Sequence, residues 1–104
     1  MSWLSKTIEI HFQEILSLTE KVRRLSEDLS GIGEETIPGA INVIRRGWNS
    51  ECGKKLMERE LKLGMQIQEE AEILGHLSEE MKKQAEEMYR AEQINSQLAV
   101  TRIY

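Results

Sequence analysis

Proline is almost missing from this chain: Pro38 is the only one in 104 residues. Cysteine is equally scarce. Cys52 stands alone, so no intrachain disulfide can form and the redox compartment stays open. Aromatic residues make up 5%, which excludes an aromatic-rich core of the usual globular kind. No run of about 18 apolar residues occurs, so no segment is expected to span a bilayer. From Met1 to Phe12, Lys6, Glu9 and His11 interrupt the apolar residues, and the basic, apolar and cleavage regions of a signal peptide are lacking. If such a chain leaves the cell, another route must carry it. A cationic excess is also missing. The net charge is −4, which argues against nucleic acid as a main partner, because phosphate binding needs a basic face.

What the sequence does have is charge and period. Charged residues reach 31%, and apolar residues recur between them at helical steps, which predicts long helices. Leu4, Ile8, Phe12, Ile15, Leu18, Val22, Leu25 and Leu29 follow one another by three or four positions and so define one apolar face. Gly31 and Gly33 then weaken the helix, and Pro38-Gly39 removes a donor and crowds the preceding turn. A kink or short break is expected between residues 31 and 39. The face resumes at Ile37, Ala40 or Ile41, Ile44 and Trp48.

Arg45 and Arg46 suit a helix C-terminus, Gly47 can release the chain, and Asn49 and Ser50 are good N-caps before Glu51. Residues 47–50 therefore read as a tight turn, and so short a connection makes the two helices antiparallel neighbours. The second helix is expected over about residues 51–99, roughly 70 Å at its rise per residue, with a short tail after it. Within it Ile67, Leu74, Met81 and Met88 recur every seven residues, the coiled-coil period. Gly64, Ala71, Ser78, Ala85 and Ala99 form a stripe of small residues broken by Glu92, and such a stripe lets another helix approach closely. Leu56, Leu63, Leu77, Ala91 and Leu98 flank the seam.

The expected fold is one all-α domain over residues 1–104. It is a helix-turn-helix hairpin with a first helix over about residues 2–47. A hairpin this thin cannot bury both apolar stripes alone, so it is expected to dimerise into a four-helix bundle. The seam is expected to draw on Leu56, Leu63, Ile67, Ala71, Leu74, Met81, Ala85 and Met88.

Chemistry-bearing residues are sparse. His11 and His76 lie on different helices without a second ligand at helical spacing, which fits surface positions better than a metal site. Cys52 has no neighbouring His or basic cluster to activate it and reads as a small residue at a helix start. The Glu-rich runs at Glu69-Glu70, Glu79-Glu80 and Glu86-Glu87 read as a solvated face. Gly31, Gly33 and Gly39 do not form a phosphate loop. No acid/base pair or nucleophile constellation is visible, so neither an enzyme nor a cofactor is expected. Trp48 has two readings, a cap on the end of the bundle or an exposed recognition anchor.

Trp48-Asn49-Ser50-Glu51-Cys52-Gly53-Lys54-Lys55-Leu56 resembles the central turn of the Trp-X-Gly (WXG) family, small proteins of about a hundred residues related to the early secreted antigens of type VII secretion. Trp48, Ser50, Gly53 and Leu56 fill the slots of that family's pattern in order, with Ser50 in the glycine position. The stretch from Met88 to Gln93, followed by Leu98-Ala99 and Arg102-Ile103-Tyr104, resembles the tail of Gram-positive members. The family's export signal pairs a Tyr with an acidic residue four positions on. Tyr89 meets Gln93 at that spacing, with Glu92 one position early.

The resemblance implies a non-enzymatic protein, cytoplasmic before export and then secreted without a signal peptide by a membrane-bound secretion ATPase. It implies a dimer with itself, a related WXG-like protein or a helical-headed toxin, for which the chain is substrate or co-secreted targeting partner. In such dimers Trp48, Ser50, Tyr89 and Glu92 are implied to form the recognition surface, shared across two chains. The alternative is an intracellular coiled-coil adaptor or chaperone for a larger helical partner, without export.

Overall fold

The computed structural model describes the backbone of residues 3–103 and the side chains of residues 6–99. The side chains of Leu4, Arg102, Ile103 and Tyr104 lie outside the described residues. The chain is all-α, a helix-turn-helix hairpin, with no strand among the described residues. Helix α1 is Trp3–Gly31, a π-helical turn follows at Ile32–Thr36, α2 is Ile37–Gly47 and α3 is Glu51–Ile103. Among the described residues no helix is long and apolar enough to cross a membrane.

The path does not break where Gly31, Gly33 and Pro38 predict a kink. Instead the helix widens by one residue, so that the Ile37 N–H donates to the Ile32 carbonyl, five positions back. Pro38 follows in the first turn of α2. A proline lacks the N–H that an α-turn requires and crowds the carbonyl four positions earlier. Widening the turn relaxes both demands, which is why π-turns serve as adaptors inside helices. The other end of the second helix also differs from expectation. Nothing from Ala99 to Ile103 breaks a helix, and α3 runs on to Ile103 instead of giving way to a tail near residue 99.

The chain groups into two compact units, Met1–Val22 with Leu77–Tyr104 (unit 1) and Arg23–His76 (unit 2). In unit 2, α1, the π-turn and α2 run antiparallel to the first half of α3. The Ser26 hydroxyl donates to the Ala71 carbonyl at 2.6 Å, and the Gln68 amide donates to the Ser30 carbonyl at 3.1 Å. A side chain as short as serine reaches an opposing backbone only where two helices nearly touch. Glycines allow that approach. A Cβ on Gly64 would stand 3.1 Å from Ile37 Cγ2, and one on Gly33 would stand 2.6 Å from Gln68 Nε2. Ile37, Ile41 and Ala71 are the buried apolar residues of this unit.

In unit 1, Thr19 and Ser78 take the same part. The Ser78 hydroxyl donates to the Thr19 carbonyl at 3.3 Å, while the Thr19 hydroxyl turns back to the Ile15 carbonyl at 2.9 Å. Phe12 and Tyr89 stack across the pair with ring centroids 4.3 Å apart. Ile8 and Ala85 are buried beside them, and Ser96 is buried further along α3.

The contact between helices therefore uses small residues, not the large ones. Two expectations are corrected by this. Leu18 and Leu25, on the apolar face read for the first helix, are 53% and 55% exposed and do not make its contact with α3, while Thr19 and Ser26 are turned inward. On α3 the small stripe is the contact line itself. Gly64, Ala71, Ser78 and Ala85 are buried, whereas Ala99 is exposed and Ser96 continues the line in its place. The cause is distance: helices close enough for hydroxyl-to-carbonyl bonds leave no room for leucine between them.

Candidate functional site

Small residues recur every seven positions on both arms, as Thr19, Ser26 and Gly33 before the turn and as Gly64, Ala71 and Ser78 after it. Each step along a helix rotates the side chain by about 100°. The residue just before a seam residue thus points to one side of the helix pair, and the residue just after it to the other. In an antiparallel pair, equal rotations from the seam on the two helices face the same side, because a two-fold axis between the helices relates them.

One side is apolar. In unit 1 it carries Leu18 and Leu77, the latter 47% exposed. In unit 2 it carries Leu25, Ile32 and Leu63, exposed by 55%, 39% and 43%, with Glu70 at the one charged position in that row. Ile67, Leu74 and Met81 stand between this side and the seam and are half-buried, as is Leu56, while Met88 is 56% exposed. Of the residues expected in the seam, only Ala71 and Ala85 are fully covered within the chain. The larger ones recur along α3 with the coiled-coil period and are only partly covered.

In each unit the opposite side is acidic. Glu20 with Glu79 and Glu86 occupy it in unit 1, and Glu27, Glu34 and Glu72 occupy it in unit 2. Glu27 pairs with the Arg23 guanidinium, and Glu34 accepts a hydrogen bond from Ser30. The sequence pattern puts the glutamates of the second helix on a solvated face, and Glu20 and Glu27 on the wet face of the first, but does not show that the two rows share one side of the pair.

The turn between α2 and α3 belongs to unit 2 and is built around three residues. Gly47 does not take the left-handed conformation expected of a releasing glycine, since no described residue has positive φ. The release falls on Trp48, at φ −140° and ψ 70°, with its N–H still donating to the Ile44 carbonyl at 2.8 Å. Ser50 is the N-cap of α3. Its hydroxyl accepts the Gly53 N–H at 3.2 Å and its carbonyl accepts the Lys54 N–H at 2.9 Å. A serine thus has a capping role in this slot that glycine could not supply. Gly53 is required by contact: a Cβ there would lie 1.9 Å from the Trp48 carbonyl oxygen and 3.4 Å from Cγ of its ring. The indole therefore starts beside the first turn of α3, and Trp48 remains 52% exposed.

Tyr89 and Glu92 belong to unit 1. Tyr89 is half-buried in its stack with Phe12, a pairing that sequence reading missed because stacking partners on separate helices carry no local signal. Glu92 and Gln93 are exposed. Glu92 lines a shallow cleft with Ile8, His11, Phe12, Glu14 and Tyr89. Cys52, His11 and His76 are exposed, and no group of three or more metal-binding side chains is gathered among the described residues. Comparison with protein-family models, with curated proteins and with solved structures finds no match.

Proposed function

We propose that this chain is a non-enzymatic, helix-binding protein of the WXG type. It is exported without a signal peptide by a type VII secretion system, as a substrate or as the co-secreted partner of a larger helical protein. Its leucine face is covered by a second copy or a related hairpin, forming a four-helix bundle. The observation that carries this reading is that in each unit half-exposed, heptad-spaced apolar residues, Leu18 and Leu77 in unit 1 and Leu25, Ile32 and Leu63 in unit 2, lie on the side of the helix pair away from the glutamates. Pairing through the leucine faces removes apolar surface from water and keeps the glutamate rows apart, whereas the reverse pairing would set like charges against each other. Trp48 and Tyr89, with Glu92 as the acidic element, are the surface read by the secretion ATPase.

Gln93 supports a second reading. It stands where the export signal of the family has a carboxylate, and an intracellular adaptor has no need of one. Export separates the two. The test is release into the medium from cells with and without the secretion ATPase. ATPase-dependent release of the wild type, lost in folded Trp48→Ala and Tyr89→Ala variants, supports the first reading. Retention of the wild type leaves the adaptor, and normal release of both folded variants removes Trp48 and Tyr89 from the export surface.

A further inference from the structure

The acidic side of unit 2 is interrupted at one place. Where the rows of glutamates on the two helices would continue, Met65 follows the seam residue Gly64, and Pro38 follows Ile37. Together with Ile41 and Leu61 they line an open groove of about 390 Å³ beside the π-turn. Met65 is 67% exposed and Leu61 55%, so large apolar side chains face water on the side of the hairpin that is otherwise charged.

The groove is made by the same features that shape the helix path. Gly33 and Gly64 take side-chain volume away from its floor, and the π-turn with Pro38 shapes its wall. Methionine is unbranched and polarizable, and it adapts to varied helical partners. The charged residue that lines it is acidic, and the exposed Lys62 follows Leu61 in the chain. Glu69 lines it, and Glu34 and Glu72 occupy the same side of the pair.

We propose that this groove is a second helix-binding site, distinct from the leucine face, and that its occupant is an amphipathic helix with an apolar anchor flanked by Lys or Arg. The choice follows from charge. A second copy of this chain would approach with its own glutamate rows and be repelled, whereas a basic helix seats its anchor over Leu61 and Met65 and pairs its cations with Glu34, Glu69 and Glu72. Within unit 2 the leucine side and the groove lie on opposite sides of the helix pair, so a chain engaged through the first can still engage a partner through the second. The proposal does not depend on export.

The test uses the full chain and two synthetic helical peptides. Both carry leucines at helical spacing; one is flanked by lysines and the other by glutamates. Binding is read by fluorescence anisotropy, and the contact by the NMR shift of the Met65 methyl group. The lysine peptide should bind, move the Met65 signal and weaken as salt rises. Met65→Glu and Leu61→Glu are at exposed positions and should leave helicity intact, yet lower affinity by about tenfold or more. Glu69→Gln should lower it less. Equal binding of both peptides, binding indifferent to Met65→Glu, or no binding of the lysine peptide overturns the proposal. So does a change in oligomeric state on Met65→Glu, which would make the groove an interface between copies.

Discussion

Replacing Gly53 by Ala asks whether the turn is held by contact or merely by helix preference. Preference alone favours the change. Gly53 lies in the first turn of α3, and alanine is better than glycine in a helix by about 1 kcal/mol. Contact opposes it. The added Cβ would sit 1.9 Å from the Trp48 carbonyl oxygen and 3.0 Å from its carbonyl carbon, so the backbone of the turn must move by more than 1 Å. That motion disturbs the Trp48-to-Ile44 bond and the Ser50 cap, both of which pass through the same few residues. Overpacking of this kind costs about 1–3 kcal/mol, and a lost cap about 1 kcal/mol more. The cost exceeds the gain, so Gly53→Ala should lower the melting temperature by roughly 10 °C. The same substitution at Gly39 is the control. A Cβ there meets nothing within 4 Å, so Gly39→Ala should raise stability by about 0.5–1 kcal/mol. Thermal unfolding followed by far-UV circular dichroism measures both. Stabilisation of equal size at the two positions would refute the contact argument.

Ala71→Leu or Ala85→Leu, at the two least exposed apolar positions, should overpack the helix contact and lose about 1–3 kcal/mol, while Glu72→Leu on the exposed side changes little in the same unfolding assay. Leu74→Asp places a carboxylate in the half-buried row beside the seam and should dissociate or unfold the assembly, visible as a loss of both mass in sedimentation and helicity. Trp48→Ala should remain folded and dimeric by circular dichroism and sedimentation while failing to be released; an unfolded Trp48→Ala would make the indole a structural cap. Tyr89→Ala removes the stack on Phe12 and should cost roughly 1 kcal/mol beyond the loss of buried area, leaving a folded chain whose release can still be measured.

The helical class and the turn at Trp48 were legible because they rest on local signals, the three-to-four spacing of apolar residues and the caps around Ser50. The side of each helix that meets its neighbour was not. Hydrophobicity points to Leu18 and Leu25, yet the chain turns Thr19 and Ser26 inward. The signal that would have found them is the matched seven-residue recurrence of small residues, Thr19-Ser26-Gly33 against Gly64-Ala71-Ser78. One such stripe announces a close contact; two of them in antiparallel register announce that they contact each other. The π-turn was only half legible. Gly33 and Pro38 signal that an ordinary α-helix cannot pass, but whether it bends, breaks or widens is decided by packing against α3, where Gly33 makes room for Gln68 and Gly64 makes room for Ile37.

The most direct test is sedimentation of the wild type beside the Leu18→Glu/Leu77→Glu double variant. Both leucines lie on the apolar side of unit 1 and are half exposed within the chain, so their replacement spares the hairpin contact. Covering each contributes roughly 1 kcal/mol, and a carboxylate there must instead be stripped of water when the face is covered. At micromolar concentration the wild type should sediment as two chains and the double variant as one, with its helicity kept. A well-folded wild-type monomer, or a dimer that survives both substitutions, would contradict the assignment of the leucine face to a partner helix.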